Sequence, residues 1–374
     1  MAQPFISSTS NRNYPIESEH RSAGQLSLSA MTLLRTLFFL LTLLYVLGMI
    51  AFGAAWAFLG ERQWWVAMLV NFTPFLLLPA FLMFPAALLI RAKRSALLLL
   101  PVMVAAALLY ASYFVPRAAV TAEPAWSLKV IAFNVSSRHQ PMHRIEAWLR
   151  TMDADVVVLA EIDRSPNRTL PRMSDLYPYS IGQDRRNGVA ILSRYPLSDP
   201  KGWVEDEAGY PHYPRITVHV GDQPVTVIGT SLDAPTGVRG RVLLPETRIR
   251  LVNSAWDMLW GYSDVTRSAE VAAIVDYVAA SPNPVIVAGD MNLVEQSSDY
   301  WQLASVLRDS YRETSTGFGF SFPAWEAFGL PPGLPPTMRI DYIWHTPDLV
   351  ALAASYGPYV GSDHLPALAT IGGG

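Results

Sequence analysis

Val-Ile-Val-Ala-Gly-Asp-Met-Asn, residues 285–292, is an apolar run that ends on a glycine and then presents a carboxylate and an amide, Asp290 and Asn292. Short apolar runs bounded by turn residues read as buried strands. A strand that stops at a polar pair is a rigid rim holding chemistry. Working outward, the same texture recurs at residues 128–134, 156–161, 188–193, 216–220, 225–230, 340–345 and 365–371. Two helical patterns lie between these runs. Residues 142–152 place Ile145, Trp148 and Leu149 on one face, and residues 266–280 space Val271, Ile274, Val275 and Val278 likewise. Strands mixed with helices, with polar residues at strand ends, predict an α/β domain of two packed sheets flanked by helices, spanning residues 125–374.

The amino-terminal third has a different composition. Over the 374 residues, 51% are hydrophobic, and the mean hydropathy is +0.22, which is high for a soluble chain. Residues 1–30 are polar and without apolar periodicity, so a disordered tail is expected there. Residues 31–117 carry charge-free stretches at 37–59, 63–90 and 95–116. Each is long enough to cross about 30 Å of hydrocarbon, so three transmembrane helices are expected, the second kinked at Pro74, Pro79 and Pro85. Arg35 precedes the first stretch, and Arg91, Lys93 and Arg94 cluster between the second and third. The first connection has only Glu61 and Arg62. Retention of Lys and Arg on the cytoplasmic side predicts a cytoplasmic N-terminus and an extracytoplasmic domain after Pro116, in a bacterial inner or plasma membrane. Trp56, Trp64, Trp65, Tyr110 and Tyr113 lie near the ends of the stretches, as headgroup-level rings do.

A net charge of −3 provides no overall basic field for a polynucleotide, so nucleic acid is an unlikely partner. The absence of cysteine excludes disulfides, thiolate metal sites and a cysteine nucleophile. No protein partner is predicted.

Polar residues stand at the ends of the strand-like runs in a definite order: Asn134 in IAFNV, Glu161 in VVVLAEID, Asp290 and Asn292 in VIVAGDMN, Asp341 in RIDYIW, and Asp363 with His364 in GSDHLP. Singly, each reads as easily as a turn or cap. Together, GDMN, RIDY and SDH resemble the endonuclease/exonuclease/phosphatase superfamily, whose fold is similar to that of the pancreatic-type DNases. The resemblance covers about two-thirds of the chain. It implies a four-layer α/β sandwich with the site at one rim and a divalent cation, Mg²⁺ or Mn²⁺. It also implies that Glu161 is the principal metal ligand, supported by Asp363 and Asn134, and that Asn134, Asn292 and Ser231 line the substrate. Asp290 would orient or deprotonate water, Asn292 would hold a phosphate oxygen, and Asp341 and His364 would form a carboxylate-imidazole pair.

The chemistry agrees with that set. Phosphoester hydrolysis needs charge neutralised on the non-bridging oxygens, an aligned water and a stabilised leaving oxygen. Hard oxygen donors suit Mg²⁺, and no HExxH sequence points to zinc. A buried carboxylate beside His364 favours imidazolium. Ser231 departs from the pattern, because DNase-like members carry histidine there. Serine cannot protonate a leaving group at neutral pH; Asp233, Arg239 and His212 are candidates to replace it.

Two segments surround the expected site. Residues 236–264 interleave aromatic and aliphatic residues with arginines, as a surface touching headgroups would or an extra core helix. Residues 317–338, with Phe318, Phe320, Phe322, Trp325 and Phe328, read as a long specificity loop. The expected activity is hydrolysis of a lipid-linked phosphate or pyrophosphate, with the lipid membrane and a phosphorylated lipid as partners. The layout resembles membrane-bound family members associated with glycopeptide resistance and thought to act on undecaprenyl pyrophosphate. A sphingomyelin or phosphoinositide phosphodiesterase, a nuclease and an inactive binding scaffold stay open as alternatives.

Overall fold

The computed structural model of the chain describes residues 17–117, 124–136, 142–162, 171–182, 188–202, 214–235 and 262–373. These fall into two compact units, one of residues 17–53 with 74–107, the other of residues 54–73 with those from Leu108 onward.

The apolar third forms α1 (Glu17–Leu59), α2 (Trp64–Val70), α3 (Thr73–Leu89) and α4 (Lys93–Tyr110). Helix α1 begins inside the segment expected to be a disordered tail, because extending an established helix gains one hydrogen bond per residue fixed. Two stretches, Ala30–Arg62 and Lys93–Phe114, are long and apolar enough to cross a membrane. The second expected span is broken: α2 and α3 meet at 60°. Pro74 stands in the first turn of α3, directly at this break, whereas Pro79 and Pro85 lie within α3. Polar side chains beside the break take up the freed carbonyls. Asn71 Nδ2 donates to Ala67 O at 3.2 Å and Thr73 Oγ1 to Val70 O at 2.7 Å. Along α1, Leu37, Leu40, Leu41 and Leu44 are all more than half exposed, an apolar face of the kind that marks a membrane or partner surface.

Within the first unit, Arg35 Nε donates to Ile90 O at 2.7 Å and Tyr45 Oη to Leu76 O at 2.9 Å. The second unit holds two six-stranded sheets. The first sheet contains β1 (Trp126–Asn134), β2 (Val156–Ala160), β3 (Tyr179–Gly182), β4 (Ala190–Ser193), β11 (Val350–Tyr356) and β12 (Ala367–Gly373), in the order β11-β12-β1-β2-β4-β3. The second contains β5 (Leu197–Gly202), β6 (Pro214–Val220), β7 (Gln223–Ser231), β8 (Val285–Asp290), β9 (Arg308–Asp309) and β10 (Asp341–His345), in the order β5-β6-β7-β8-β10-β9. Each sheet has one parallel pair at its centre, β1 with β2 and β7 with β8. The carboxyl ends of both pairs therefore open on rims that can share a site.

Period-2 burial explains the layering. Leu128, Val130, Ala132, Val156 and Val158 face Ile216, Val218, Val225 and Val227 in one core between the sheets. That core continues to Val271, Ile274 and Val278 of α6 (Val265–Ala280). The alternate residues Ile131, Phe133, Val157 and Leu159 pack on Ile145 and Leu149 of α5 (Met142–Leu149). A four-layer α/β sandwich results. The sheets pack closely at Gly229, where a Cβ would lie 2.9 Å from a Val189 methyl and 3.1 Å from one of Val158.

Two stretches beside the apolar helices belong to this second unit. Glu61 accepts from Ser298 N at 2.9 Å at the start of α7 (Ser298–Ala304), and Asn71 Nδ2 donates to Tyr262 Oη at 2.9 Å. Past α4, Gly317 N donates to Tyr113 O at 2.7 Å. The Arg312 guanidinium, on α8 (Ser310–Thr314), lies 3.7 Å from the Tyr113 ring centre.

Candidate active site

Strand register brings the polar residues together. In the second sheet Ser231 ends β7 opposite Asp290, the last residue of β8, and Asp290 stands opposite Asp341, the first of β10. In the first sheet Asn134 ends β1 beside Ala160, and Glu161 follows directly. The loop before β12 adds Asp363 and His364. Five of the eight expected residues thus occur at strand ends or immediately beyond them, and Asp363 and His364 precede β12 by four and three residues. Asn292 follows β8 by two.

Gly289 explains how Asp290 reaches the rim. Its φ of +143° is open to glycine, and a Cβ there would lie 2.0 Å from Thr230 O. Three non-glycine residues at the site also hold left-handed backbone: Ser136 (φ 43°), Glu161 (φ 53°) and Asn292 (φ 48°). Asparagine tolerates this region, whereas glutamate gives up about 1 kcal/mol or more. That local cost at Glu161 turns its carboxylate out of the strand.

The centre is a buried hydrogen-bonded cluster. His364 Nδ1 lies 2.9 Å from Asp341 Oδ2. Asn134 Nδ2 donates to Asp290 Oδ2 at 2.9 Å and to Glu161 Oε1 at 3.1 Å, and lies 3.3 Å from His364 Nε2. His364 Nε2 is 3.9 Å from Asp290 Oδ2. Asp290, Asp341, His364 and Asn134 are buried, while Glu161 and Asp363 are half-buried. Burial raises the Asp290 carboxyl, and the neighbouring Asp341 adds to the rise, bringing it up to about 7. Burial alone would lower the His364 imidazole, but the Asp341 carboxylate and then Asp290 reverse that and push it up to about 10. At neutral pH the pair is an imidazolium held on a carboxylate.

A cation could be held at two places. Asp290, Asp341 and His364 offer ligand atoms within 4.8 Å of one another, and Asp341 Oδ1 is buried without a hydrogen-bond partner among the described residues. Glu161 is the more open carboxylate. Carboxylate oxygens without sulfur fit a hard divalent cation in either case, with an imidazole nitrogen beside them at the first place. Among the described residues, Asp290, Asp341 and His364 bring their ligand atoms close together, and Asn134 bridges Asp290 to Glu161. Asp363 is not part of the tight cluster; its Oδ1 accepts from Ser362 Oγ at 3.4 Å.

Asn292 was expected to hold a phosphate oxygen. Both of its amide hydrogens are instead directed inward, to Leu232 O at 2.8 Å and to Asp290 Oδ2 at 3.3 Å, and its backbone N donates to Asp290 Oδ1 at 2.9 Å. This arrangement makes it a clamp on Asp290. The buried Arg267 fixes Asn292 in turn, donating to its carbonyl at 2.6 Å while pairing with Asp299 at 2.9 Å. Of the proposed replacements for the missing histidine, Asp233 has its backbone N on Glu270 at 2.8 Å; Arg239, His212 and residues 236–261 lie outside the described residues.

Four further residues complete this site, of which only Phe322, in the 317–338 loop, is named from sequence. Ser321 Oγ donates to Asp341 Oδ2 at 2.7 Å, and Phe322 lays its ring 4.7 Å from that of His364. Ser362 Oγ donates to Asn134 O at 2.6 Å, and Tyr356 Oη to Asp341 O at 2.6 Å. Ser362 lies within the SDH motif and was legible there. Ser321 and Phe322 sit in a loop with no periodic signal.

Residues 131–364 match the family described as the Endonuclease/Exonuclease/phosphatase family. A search of curated proteins gives no match. Among solved structures, an endonuclease/exonuclease/phosphatase from Beutenbergia cavernae is 20% identical, covering 66% of this chain and 72% of that one at a TM-score of 0.45. Truncated TDP2 from Caenorhabditis elegans is 16% identical over 66% and 98%, at 0.48. An AP endonuclease from Archaeoglobus fulgidus is 16% identical over 65% and 98%, at 0.46.

Proposed function

The chain belongs to the endonuclease/exonuclease/phosphatase family, and from that membership we propose that it hydrolyses a phosphate ester or pyrophosphate carried on a lipid, at the extracytoplasmic face of a membrane. Members of the family are generally hydrolases of phosphate esters and typically use a divalent metal.

Glu161, with Asn134 and Asp363, would hold Mg²⁺ or Mn²⁺, which when bound supplies positive charge to neutralise phosphate oxygens. Asp290, raised toward neutrality, is suited to take the proton of an attacking water. Asn292 and Asn134 hold that carboxylate in place. His364, kept protonated by Asp341, carries its Nε2 proton toward the centre of the cluster and can give it to a phosphoryl or leaving oxygen. An acid at His364 makes the missing histidine at Ser231 tolerable, most of all when phosphate itself leaves.

One observation supports the lipid part of this reading. The segment that leaves the last apolar helix is hydrogen-bonded to the segment that reaches the site, Tyr113 to Gly317, within one compact unit. A substrate phosphate displayed at a bilayer surface is then closer to hand than a dissolved polymer. Polyprenyl pyrophosphate is the proposed substrate within that class.

The test is phosphate release by the detergent-purified full chain from polyprenyl pyrophosphate, phospholipid and plasmid DNA, each with Mg²⁺ or chelator. Metal-dependent release from the lipid pyrophosphate is the expected result. Cleavage of DNA alone would overturn the lipid substrate, and silence on all three would point to a binding scaffold.

A further inference from the structure

Residues 328–335, Phe-Gly-Leu-Pro-Pro-Gly-Leu-Pro, are eight consecutive exposed residues without a charge. Phe328 is 54% exposed, Leu330 44% and Leu334 45%. A water-facing loop tip is ordinarily polar, and an exposed apolar cluster marks a surface meant for something apolar. This tip is also built to stay presented. Trp325 Nε1 donates to Pro335 O at 2.9 Å across its base, Gly333 N to Glu326 Oε1 at 3.4 Å, and four prolines between 331 and 336 stiffen the return.

The roots of the loop lie at two informative places. Upstream, Phe318 packs edge-on against Tyr110, Tyr113 and Phe114, the end of the last apolar helix, at 5.4, 6.1 and 5.5 Å. Then come Ser321 on Asp341, Phe322 on His364, and Ala324 N donating to Asp363 O at 2.7 Å. A single segment thus runs from the end of an apolar helix, past the reacting groups, into an uncharged apolar tip.

We propose that residues 328–335 form a lip that dips into the boundary of the lipid bilayer beside the reaction centre. This rests on the membrane attachment in the reading above and deepens it by naming the surface that meets the lipid. The occupant is bilayer lipid rather than a protein. The tip offers no charge and no patterned donors to a protein partner, whereas it is continuous with a helix end whose aromatic rings suit the headgroup layer. The lip would let a phosphate reach the cluster while its lipid chain stays in hydrocarbon.

The absence of cysteine makes single-site labelling clean. An environment-sensitive fluorophore is placed at Leu330→Cys, at Leu334→Cys and, as control, at Asp222→Cys in the turn between β6 and β7, at the opposite end of β7 from Ser231. The full chain is reconstituted in phosphatidylethanolamine/phosphatidylglycerol vesicles. Blue-shifted emission and loss of quenching by iodide at 330 and 334, with a water-like signal at 222, is the expected result. Water-like signals at all three positions would overturn the lip. In parallel, F328S/L330S/L334S should raise the apparent KM for vesicle-borne polyprenyl pyrophosphate by about tenfold or more, equal to about 1.4 kcal/mol. The rate on a short-chain, water-soluble pyrophosphate should hold. Equal loss on both substrates would overturn the lip. Buried labels with no turnover of any lipid phosphate would uphold it and overturn the substrate reading instead.

Discussion

His364 and Asp341 face each other at 2.9 Å from different sheets, the imidazole from the loop before β12 and the carboxylate from the first residue of β10. Ser321 completes the arrangement by donating to the same carboxylate oxygen at 2.7 Å. The pair is the seam across which the two sheets share a proton.

Its titration sets the pH dependence of turnover. Asp290 must be ionised to accept a proton, and it titrates near 7; His364 must be protonated, and it loses its proton near 10. The expected kcat/KM profile is a bell between those limits. Asp341→Asn removes the main charge that raises His364, so the alkaline limb should move to lower pH. The same sign governs stability. Below the unfolded value near 6.5 the His364 pairing is fully stabilising, and it is lost as pH rises through about 10. An alkaline limb unmoved by Asp341→Asn would rule out His364 as the acid.

Asp290→Asn keeps the shape of the side chain and removes its capacity to accept a proton. Turnover should fall by about 10²–10⁴-fold. The folded state should not suffer, because the buried carboxylate, raised to about 7, is itself a liability at higher pH. Steady-state kinetics with thermal unfolding on one sample checks both halves. Near-normal turnover would remove Asp290 from the mechanism.

Ser231→His restores a titratable ring opposite Asp290 in the register. The expected gain is confined to phosphodiesters, whose alkoxide leaving groups need a proton. Rates on p-nitrophenyl phosphodiester and on pyrophosphate, compared in one variant, decide whether Ser231 tunes leaving-group preference.

Two glycines give a paired stability test. Gly289→Ala forces a Cβ to 2.0 Å from Thr230 O at a φ of +143°, which should cost more than about 3 kcal/mol and silence the site. Gly221→Ala, at φ +60° with open space around it, should cost about 1 kcal/mol. Chemical denaturation of both variants measures the difference.

Ser321→Ala removes one hydrogen bond from Asp341 and leaves that buried oxygen to His364 alone. A loss of about 1–2 kcal/mol is expected, seen as a roughly tenfold fall in kcat with KM unchanged. A change confined to KM would make Ser321 a substrate contact instead.

Much of this was legible because it rests on period and punctuation. Strands β1, β2, β4, β6, β7, β8, β10 and β12 are apolar runs, several with a polar residue at one end, and so the rim residues could be read with them. Strands β3, β5, β9 and β11 were not read. Tyr179–Gly182 is mostly exposed, Leu197–Gly202 contains a proline, Arg308–Asp309 is two residues long, and Val350–Tyr356 carries a register shift at its start. Each lies at or near a sheet edge, where pairing rather than apolar content makes the strand. Of the three expected kinks, the one at Pro74 falls at the break between α2 and α3, while Pro79 and Pro85 lie inside α3. The capping by Asn71 and Thr73 depends on where the side chains turn, which composition does not record. Ser321 escapes the sequence reading for the same reason, being local in space to Asp341 but not in sequence, whereas Phe322 lies in the 317–338 stretch that reads as a specificity loop.

The pairing of β1 with the whole length of β12, from Trp126 opposite Gly373 to Ala132 opposite Ala367, has a consequence for biogenesis. The strand that carries Asn134 is made early and its antiparallel neighbour late, with the whole second sheet in between. During synthesis one edge of β1 is therefore an open, aggregation-prone ladder. Chains of this architecture should depend on a holding factor, or on rapid delivery of their remaining residues, more than their modest final size would suggest.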